Sequence, residues 1–288
     1  MRKIAVVPTL LTLGNGVCGF VAIAIASKIV IPDPGHTIAP ETAKEYDRFF
    51  AIAGWFIIAA MVFDMLDGYV ARLSKTASKF GGELDSLCDA ISFGVAPAFL
   101  LLKMGPDWEP RPFHQIVAGI AALYMVCTIL RLARFNVDNT PDPAAHKRFR
   151  GLPSPGAAGC IASLAILRGE FPGKLAQYWD RFDLETARGL VQQIVEISSP
   201  IGAFIVALLM VSVVPYPHVT KQFLRARRHV WHLIQFLLIG FIVVMVQETA
   251  LALMFWGYAL GLPLRHLFFK HVLKEDTLPP RLEDSLQH

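Results

Sequence analysis

The chain has 288 residues, 54% of them hydrophobic and only 17% charged, with a mean hydropathy of +0.48. Soluble domains carry roughly 25% charged residues, so this composition excludes a water-soluble globule and identifies an integral membrane protein. The net charge of +4 is informative through the placement of Lys and Arg rather than through their total, and no nucleic-acid partner is expected from it.

At the N-terminus, Arg2, Lys3, an apolar run and Ala24-Ile25-Ala26 imitate a cleavable signal peptide. The run from Pro8 to Val30 is long enough to span a bilayer and contains Thr9, Thr12 and Asn15, so a retained span is expected. Apolar segments follow at about 50–72, 83–103, 113–135, 152–169, 195–215, 231–247 and 249–267. With the first, they predict an all-α, polytopic membrane helix bundle of about eight transmembrane helices in a single integral membrane domain. The last two segments are interrupted only by Gln247-Glu248-Thr249, which reads as a tight hairpin with no chemical role.

With the N-terminus in the cytoplasm, alternate loops divide the basic residues 18 to 9 in favour of the cytoplasmic side, so both termini are expected there. The loops of the other face, such as IPDPGHTIAPETAKEYD and MGPDWEPRP, read as connectors. Cys18, Cys88, Cys127 and Cys160 sit in apolar segments without a C-x-x-C pair and read as small buried hydrophobes. His229 and His232 beside Arg225, Arg227 and Arg228 read as an interfacial basic cluster, and His266 and His271 as part of a basic tail.

The informative run is DMLDGYVARLSKTASKFGGELDSLCD, from Asp64 to Asp89. A carboxylate inside a membrane costs roughly 2.5 to 3.5 kcal/mol even on gentle insertion scales, so four together require a strong compensating partner. Asp64, Asp67 and Ala71 lie at i, i+3 and i+7 and share one helix face; Asp85 and Asp89, at i and i+4, share a face on the next helix. Two antiparallel helices joined by a polar turn therefore present four carboxylates to one cavity. Hard divalent ions prefer oxygen ligands, and paired ions are a recurring device in phosphoryl transfer, so the arrangement suits a pyrophosphate. Gly68 permits close approach of a ligand, Ala71 keeps the face shallow, and Arg72 offers a forked donor to phosphate. Singly, each residue has a plainer role: a solvated acid, a helix-packing glycine, a positive-inside anchor. Four inward acids together point to function.

Asp64, Asp67, Gly68, Ala71, Arg72, Gly81, Asp85 and Asp89 reproduce D-x2-D-G-x2-A-R-x8-G-x3-D-x3-D without a gap. In this the chain resembles the CDP-alcohol phosphatidyltransferases. The resemblance implies a six-helix catalytic core over residues 1–216, leaving 217–288 as basic linker, C-terminal helical hairpin and cytoplasmic tail. It implies two divalent cations, magnesium or manganese, held by Asp64, Asp67, Asp85 and Asp89, with Asp89 also the general base. Gly68, Ala71, Arg72, Ser78 and Gly81 match positions of the CDP-diacylglycerol site. The family's P-N-x-x-T in helix one corresponds to Pro8-Thr9-Leu10-Leu11-Thr12, with Thr9 in place of the asparagine and Thr12 retained.

The strings TLLTLGNGVCGF, LDSLCDAISFGVAPAF, RLARFN and GLPSPGAAG are similar to the phosphatidylserine synthase branch of that family. The branch implies transfer of the phosphatidyl group from CDP-diacylglycerol to L-serine, with release of CMP, at the cytoplasmic side of the cell (inner) membrane. It also implies contact with membrane lipid and a homodimer. Arg131, Arg134, Asn136 and Arg150 form the mouth of a basic pocket that suits a serine carboxylate or a lipid phosphate, or else anchor a helix end. Ser154, between Pro153 and Pro155, suits a bond to substrate or a helix cap, and the cap is the expected role. Another acceptor, glycerol 3-phosphate or inositol phosphate, is the nearest alternative. A cation transporter is the alternative from another class, and it leaves the spacing of Gly68, Ala71 and Arg72 unexplained.

Overall fold

The computed structural model describes residues 6–30, 39–74, 78–105, 112–138, 151–178, 183–212, 214 and 247–272. Among them regular structure is entirely helical: α1 (Val6–Ala26), α2 (Pro40–Leu73), α3 (Lys79–Asp89), a π-helical segment (Ala90–Val95), α4 (Ala96–Met104), α5 (Pro112–Asp138), α6 (Ser154–Tyr178), α7 (Leu184–Val211) and α8 (Gln247–Val272). Among the described residues, five stretches are long and apolar enough to cross a membrane: Val6–Ala26, Pro40–Ala71, Phe80–Met104, Gln115–Val137 and Leu184–Val211. The chain is therefore a multi-pass membrane protein. The expected span at 231–247 lies outside the described residues except for its last position.

Two helices begin well before the apolar segments that predict them. α2 starts at Pro40 and α7 at Leu184, through sequence whose charge reads as loop. The charges are satisfied between helices: Arg188 of α7 pairs with Asp47 of α2, and Arg168 of α6 lies 3.9 Å from Glu196 of α7 and stacks over the Phe50 ring at 4.2 Å. Paired charges of this kind are tolerated in helix interiors where isolated ones are not. The same correction applies at Gln247-Glu248-Thr249, expected as a turn but forming the first turn of α8. Glu248 is buried there and holds Lys174 of α6 at 2.6 Å.

α6 runs through the centre and is buried around most of its circumference by α2, α4, α7 and α8. Its small residues, Ala157, Ala158, Ala162 and Ala165, allow neighbours to approach closely, the usual basis of helix association in lipid. Entry to α6 is pinned at Gly151, whose φ of +90° favours glycine. The Gly151 N–H donates to Val214 O and the Leu152 N–H to Leu209 O, each at 2.9 Å, tying the start of α6 to the end of α7. All four cysteines are buried and free, as their apolar surroundings predict.

α1 packs extensively on α2 and crosses α3 and the π-helical segment. The approach is close enough that a Cβ at Gly19 would fall 2.7 Å from the Ser92 Cα. Gly19→Val is expected to force α1 away and to cost about 1–3 kcal/mol, read as a lower thermal unfolding midpoint in detergent; an unchanged midpoint would show that α1 tolerates displacement.

Candidate functional site

The last turns of α2 and the first turns of α3 form the site. Asp64, Asp67, Gly68 and Ala71 follow the helical spacing down one face of α2, and α3 restarts the chain at Ser78. Ser78 is the N-cap of α3, its Oγ accepting the Gly81 N–H at 3.0 Å. A capped start fixes the direction of α3 and hence the position of Asp85, two turns in.

Asp64, Asp67 and Asp85 each offer a carboxylate oxygen, and these oxygens all lie within 4.8 Å of one another. At that separation two ionised carboxylates repel by roughly 3 kcal/mol at an effective dielectric constant of about 20. Asp67 is buried, and Asp85 Oδ1 is buried without a hydrogen-bond partner among the described residues. Three converging hard oxygen donors, one of them unsatisfied, fit a divalent cation of the magnesium or manganese class.

Asp89 lies one turn beyond Asp85 and is buried. It is not one of the three acids whose oxygens cluster within 4.8 Å; its Oδ1 accepts a 2.8 Å hydrogen bond from Asn15 Nδ2 of α1. The helix changes to π geometry immediately after Asp89, as insertions at functional sites often do. Two bonds hold this irregular stretch: Ser92 Oγ donates to Asn15 O at 2.9 Å, and Tyr124 Oη donates to Phe93 O at 2.9 Å. Asn15 is thus bonded to Asp89 through its side chain and to Ser92 through its backbone, which locks α1 against the fourth acid.

A cleft opens beside the acids. Its walls are Pro8, Thr9 and Thr12 of α1, then Asp67, Gly68 and Ala71 of α2, and across from them Ser78, Gly81, Gly82 and Asp85. Thr12, Gly68, Ala71, Ser78 and Gly81, dispersed over 70 residues of sequence, are therefore brought together. Thr12 Oγ1 donates to Pro8 O at 3.0 Å. Gly82 faces open space, with nothing within 4 Å of where a Cβ would stand. Arg72 lies in α2, but its side chain is outside the described residues.

The basic residues at the end of α5 divide. Arg131 turns inward: its Nη1 donates to Ser154 Oγ at 2.8 Å, and it lies within electrostatic reach of Asp89. Ser154, expected as a cap, is buried in the first turn of α6 as the acceptor for that guanidinium. Arg134 and Asn136 are exposed, and Asn136 Nδ2 donates to Ser86 Oγ at 2.8 Å, so the end of α5 touches α3 next to Asp85. Arg150 lies outside the described residues, as do His229 and His232.

Two site residues were not legible as such. Thr9, which departs from the family pattern, still lines the cleft. Asn15 stands in the sequence as a polar interruption of an apolar helix, although an amide flanked by Gly14 and Gly16 in a membrane span needs a partner on a closely approaching neighbour.

Residues 5–263 match the family model described as CDP-alcohol phosphatidyltransferase. A CDP-diacylglycerol–serine O-phosphatidyltransferase from Helicobacter pylori is 40% identical over 123 residues, covering 42% of this chain and 49% of that protein. Proteins of the same name from Mycobacterium bovis and Saccharomyces cerevisiae are 42% identical over 119 residues and 34% identical over 160; the shares covered are 40% of both chains for the first, and 54% of this chain and 51% of the relative for the second. The chain spans about half the length of the curated relatives it matches. With the motif, the converging acids and a family match over most of its length, the chain belongs to the CDP-alcohol phosphatidyltransferase family.

Proposed function

We propose that this protein transfers the phosphatidyl group of CDP-diacylglycerol to the hydroxyl of L-serine, giving phosphatidylserine and CMP. The observation that carries the reading is the junction of the acid cluster with the cleft: Asp67 and Asp85 belong to both. A pyrophosphate lying in the cleft would have its charge at the carboxylate-bound cations and its flanking groups against the small residues Gly68, Ala71 and Gly81. The choice of serine rests on the names of the relatives.

Asp64, Asp67, Asp85 and Asp89 would hold two divalent cations. When bound, such ions neutralise the pyrophosphate and stabilise the departing phosphate oxygen. Asp89, oriented by the Asn15 amide, takes the proton of the serine hydroxyl. The serine oxygen forms a bond to the lipid-side phosphorus, and the bridging bond to CMP breaks in line with it. Arg131, held by Ser154, receives the serine carboxylate through its forked donors; Arg134, Asn136 and Arg150 complete the basic mouth. Thr12, Gly68, Ala71, Arg72, Ser78 and Gly81 hold the CDP-diacylglycerol head group.

The site and both termini belong, in this reading, on the cytoplasmic side of the cell membrane, which the basic-residue bias supports. The eight-span reading divides the single domain into a six-helix core over 1–216 and a C-terminal appendage over 217–288.

Purified protein supplied with CDP-diacylglycerol, magnesium or manganese, and a panel of alcohols is expected to yield phosphatidylserine and CMP only with serine. Formation of phosphatidylglycerophosphate without phosphatidylserine would reject serine as the acceptor, and cation flux across liposomes without CMP release would reject the transferase. Asp85→Asn is expected to weaken Mn2+ binding by about tenfold or more, equivalent to roughly 1.4 kcal/mol, measured by titration of the folded protein; unchanged affinity would remove Asp85 from the ligand set. Asn15→Ala is expected to lower turnover by about 10- to 100-fold, the usual cost of losing a residue that orients a ligand or base. Circular dichroism should remain unchanged, and full activity would mean that Asp89 needs no orienting partner.

A further inference from the structure

The helix that carries Asp85 and Asp89 does not stop at the site: α3, the π-helical segment and α4 follow one another without a break from Lys79 to Met104. Pro97 lies inside this run, near the start of α4. Proline has no N–H to give to the carbonyl four residues back, here Phe93 O, and its ring crowds that oxygen. The helix widens just before it, closing the segment with a bond from the Ala96 N–H to Ile91 O, five residues back rather than four. Phe93 is fully buried, so its carbonyl has no water to turn to. Tyr124 of α5, fully buried as well, supplies a donor: its Oη donates to Phe93 O at 2.9 Å.

A second hydroxyl clamps the same turn from another helix. Ser92 Oγ, also fully buried, donates to Asn15 O of α1 at 2.9 Å. Thr128, one turn beyond Tyr124, lies against Gly94, its Cγ2 3.5 Å from where a Cβ would stand. The π-helical turn is thus gripped by α1 and α5 immediately after Asp89. An extra residue in one turn rotates the faces before and after it by about 100° relative to each other, from 3.6 residues per turn. α4 is fixed by buried Ala96, Leu100, Leu101 and Met104, so the direction in which Asp89 points depends on this turn keeping its form. Asp85 is steadied from the other end by the Ser78 cap, whereas Asp89 adjoins the turn itself.

We propose that Tyr124 and Ser92 are positioning residues, whose hydroxyls hold the π-helical turn so that the Asp89 carboxylate faces the hydroxyl of the acceptor. This rests on the phosphatidyl-transfer reading above. Both side chains are fully buried and act on the chemistry only through the backbone of the turn. Removing either oxygen leaves the packing in place but lets the turn vary, so proton transfer slows while the contacts made by α2 and by the start of α3 persist.

The test is steady-state kinetics of the full-length protein and its Tyr124→Phe and Ser92→Ala variants, each kcat being divided by the Mn2+ bound per protein at saturation so that only assembled sites are counted. Each variant is expected to lower kcat per bound Mn2+ by about tenfold or more, the scale of loss for a misplaced catalytic group. KM for CDP-diacylglycerol and for serine should change less than about twofold, as when an interaction of the transition state alone is lost. Unchanged kcat per bound Mn2+, even with a lower unfolding midpoint, would overturn the proposal, because the hydroxyls would then serve stability alone. So would a rise in both KM values alongside the fall in kcat, the signature of a site disturbed as a whole. Should one variant fail to fold, the other decides by the same criteria; failure of both assigns the hydroxyls to stability and overturns the proposal. A wild-type protein that uses a different alcohol rejects serine, and the positioning role is then judged on kcat for that alcohol; a wild-type protein that releases CMP with no alcohol overturns both.

Discussion

Mutual repulsion among carboxylates in a poorly solvated site is the constraint around which the protein is organised. Asp64, Asp67 and Asp85 converge to within 4.8 Å at the ends of two membrane helices, where neither water nor lipid compensates them well. Such a cluster is favoured when the surrounding helices hold the acids together and when protons or cations from outside offset their charge. The first condition is visible in the contacts of α1, which bonds to the fourth acid through Asn15 and to the π-helical segment through the Asn15 carbonyl. The second underlies the proposed use of divalent ions.

The opposite end of the bundle is stabilised differently. Asp47 and Asp64 are 17 residues apart on α2, about 26 Å at 1.5 Å per residue. At the Asp47 end the acids are balanced by arginines within the protein, through Asp47 with Arg188 and Glu196 with Arg168. One helix thus carries an acid paired with an arginine at one end and, at the other, acids that converge with Asp85 and could hold a cation. The contrast separates a structural use of buried charge from a chemical one.

Between these ends, α6 supplies the geometry. Its small residues bring α2, α7 and α8 close, and its first turn carries Ser154 to Arg131. The string GLPSPGAAG accordingly has an account in packing terms: Gly151 turns the chain, Ser154 receives the guanidinium, and Gly156 and Gly159 admit Tyr258 and Phe255. None of those partners is near it in sequence.

Much of the site was legible beforehand. The i, i+3 and i, i+4 spacing of the acids is a local property of two helices, and periodicity alone puts each pair on one face. Membrane class followed from composition, and the family from eight motif positions confined to 26 residues. The polar starts of α2 and α7 were not legible, because the Asp47–Arg188 pair that joins them is made by residues more than 100 positions apart. The π-helical segment after Asp89 was equally hidden, since its stability depends on donors from Ser92 and from Tyr124 on another helix. By itself, then, the sequence determined which residues carry charge and which face of which helix presents them, because both depend on spacing along one chain. Only the tertiary structure decided that Asn15 bonds Asp89, that Arg131 turns inward to Ser154 while Arg134 stays exposed, and that the C-terminal helix sets aromatic rings into α6 and α7. Those outcomes depend on how closely two helix backbones approach, which is set by small residues on both partners and is invisible in either one alone.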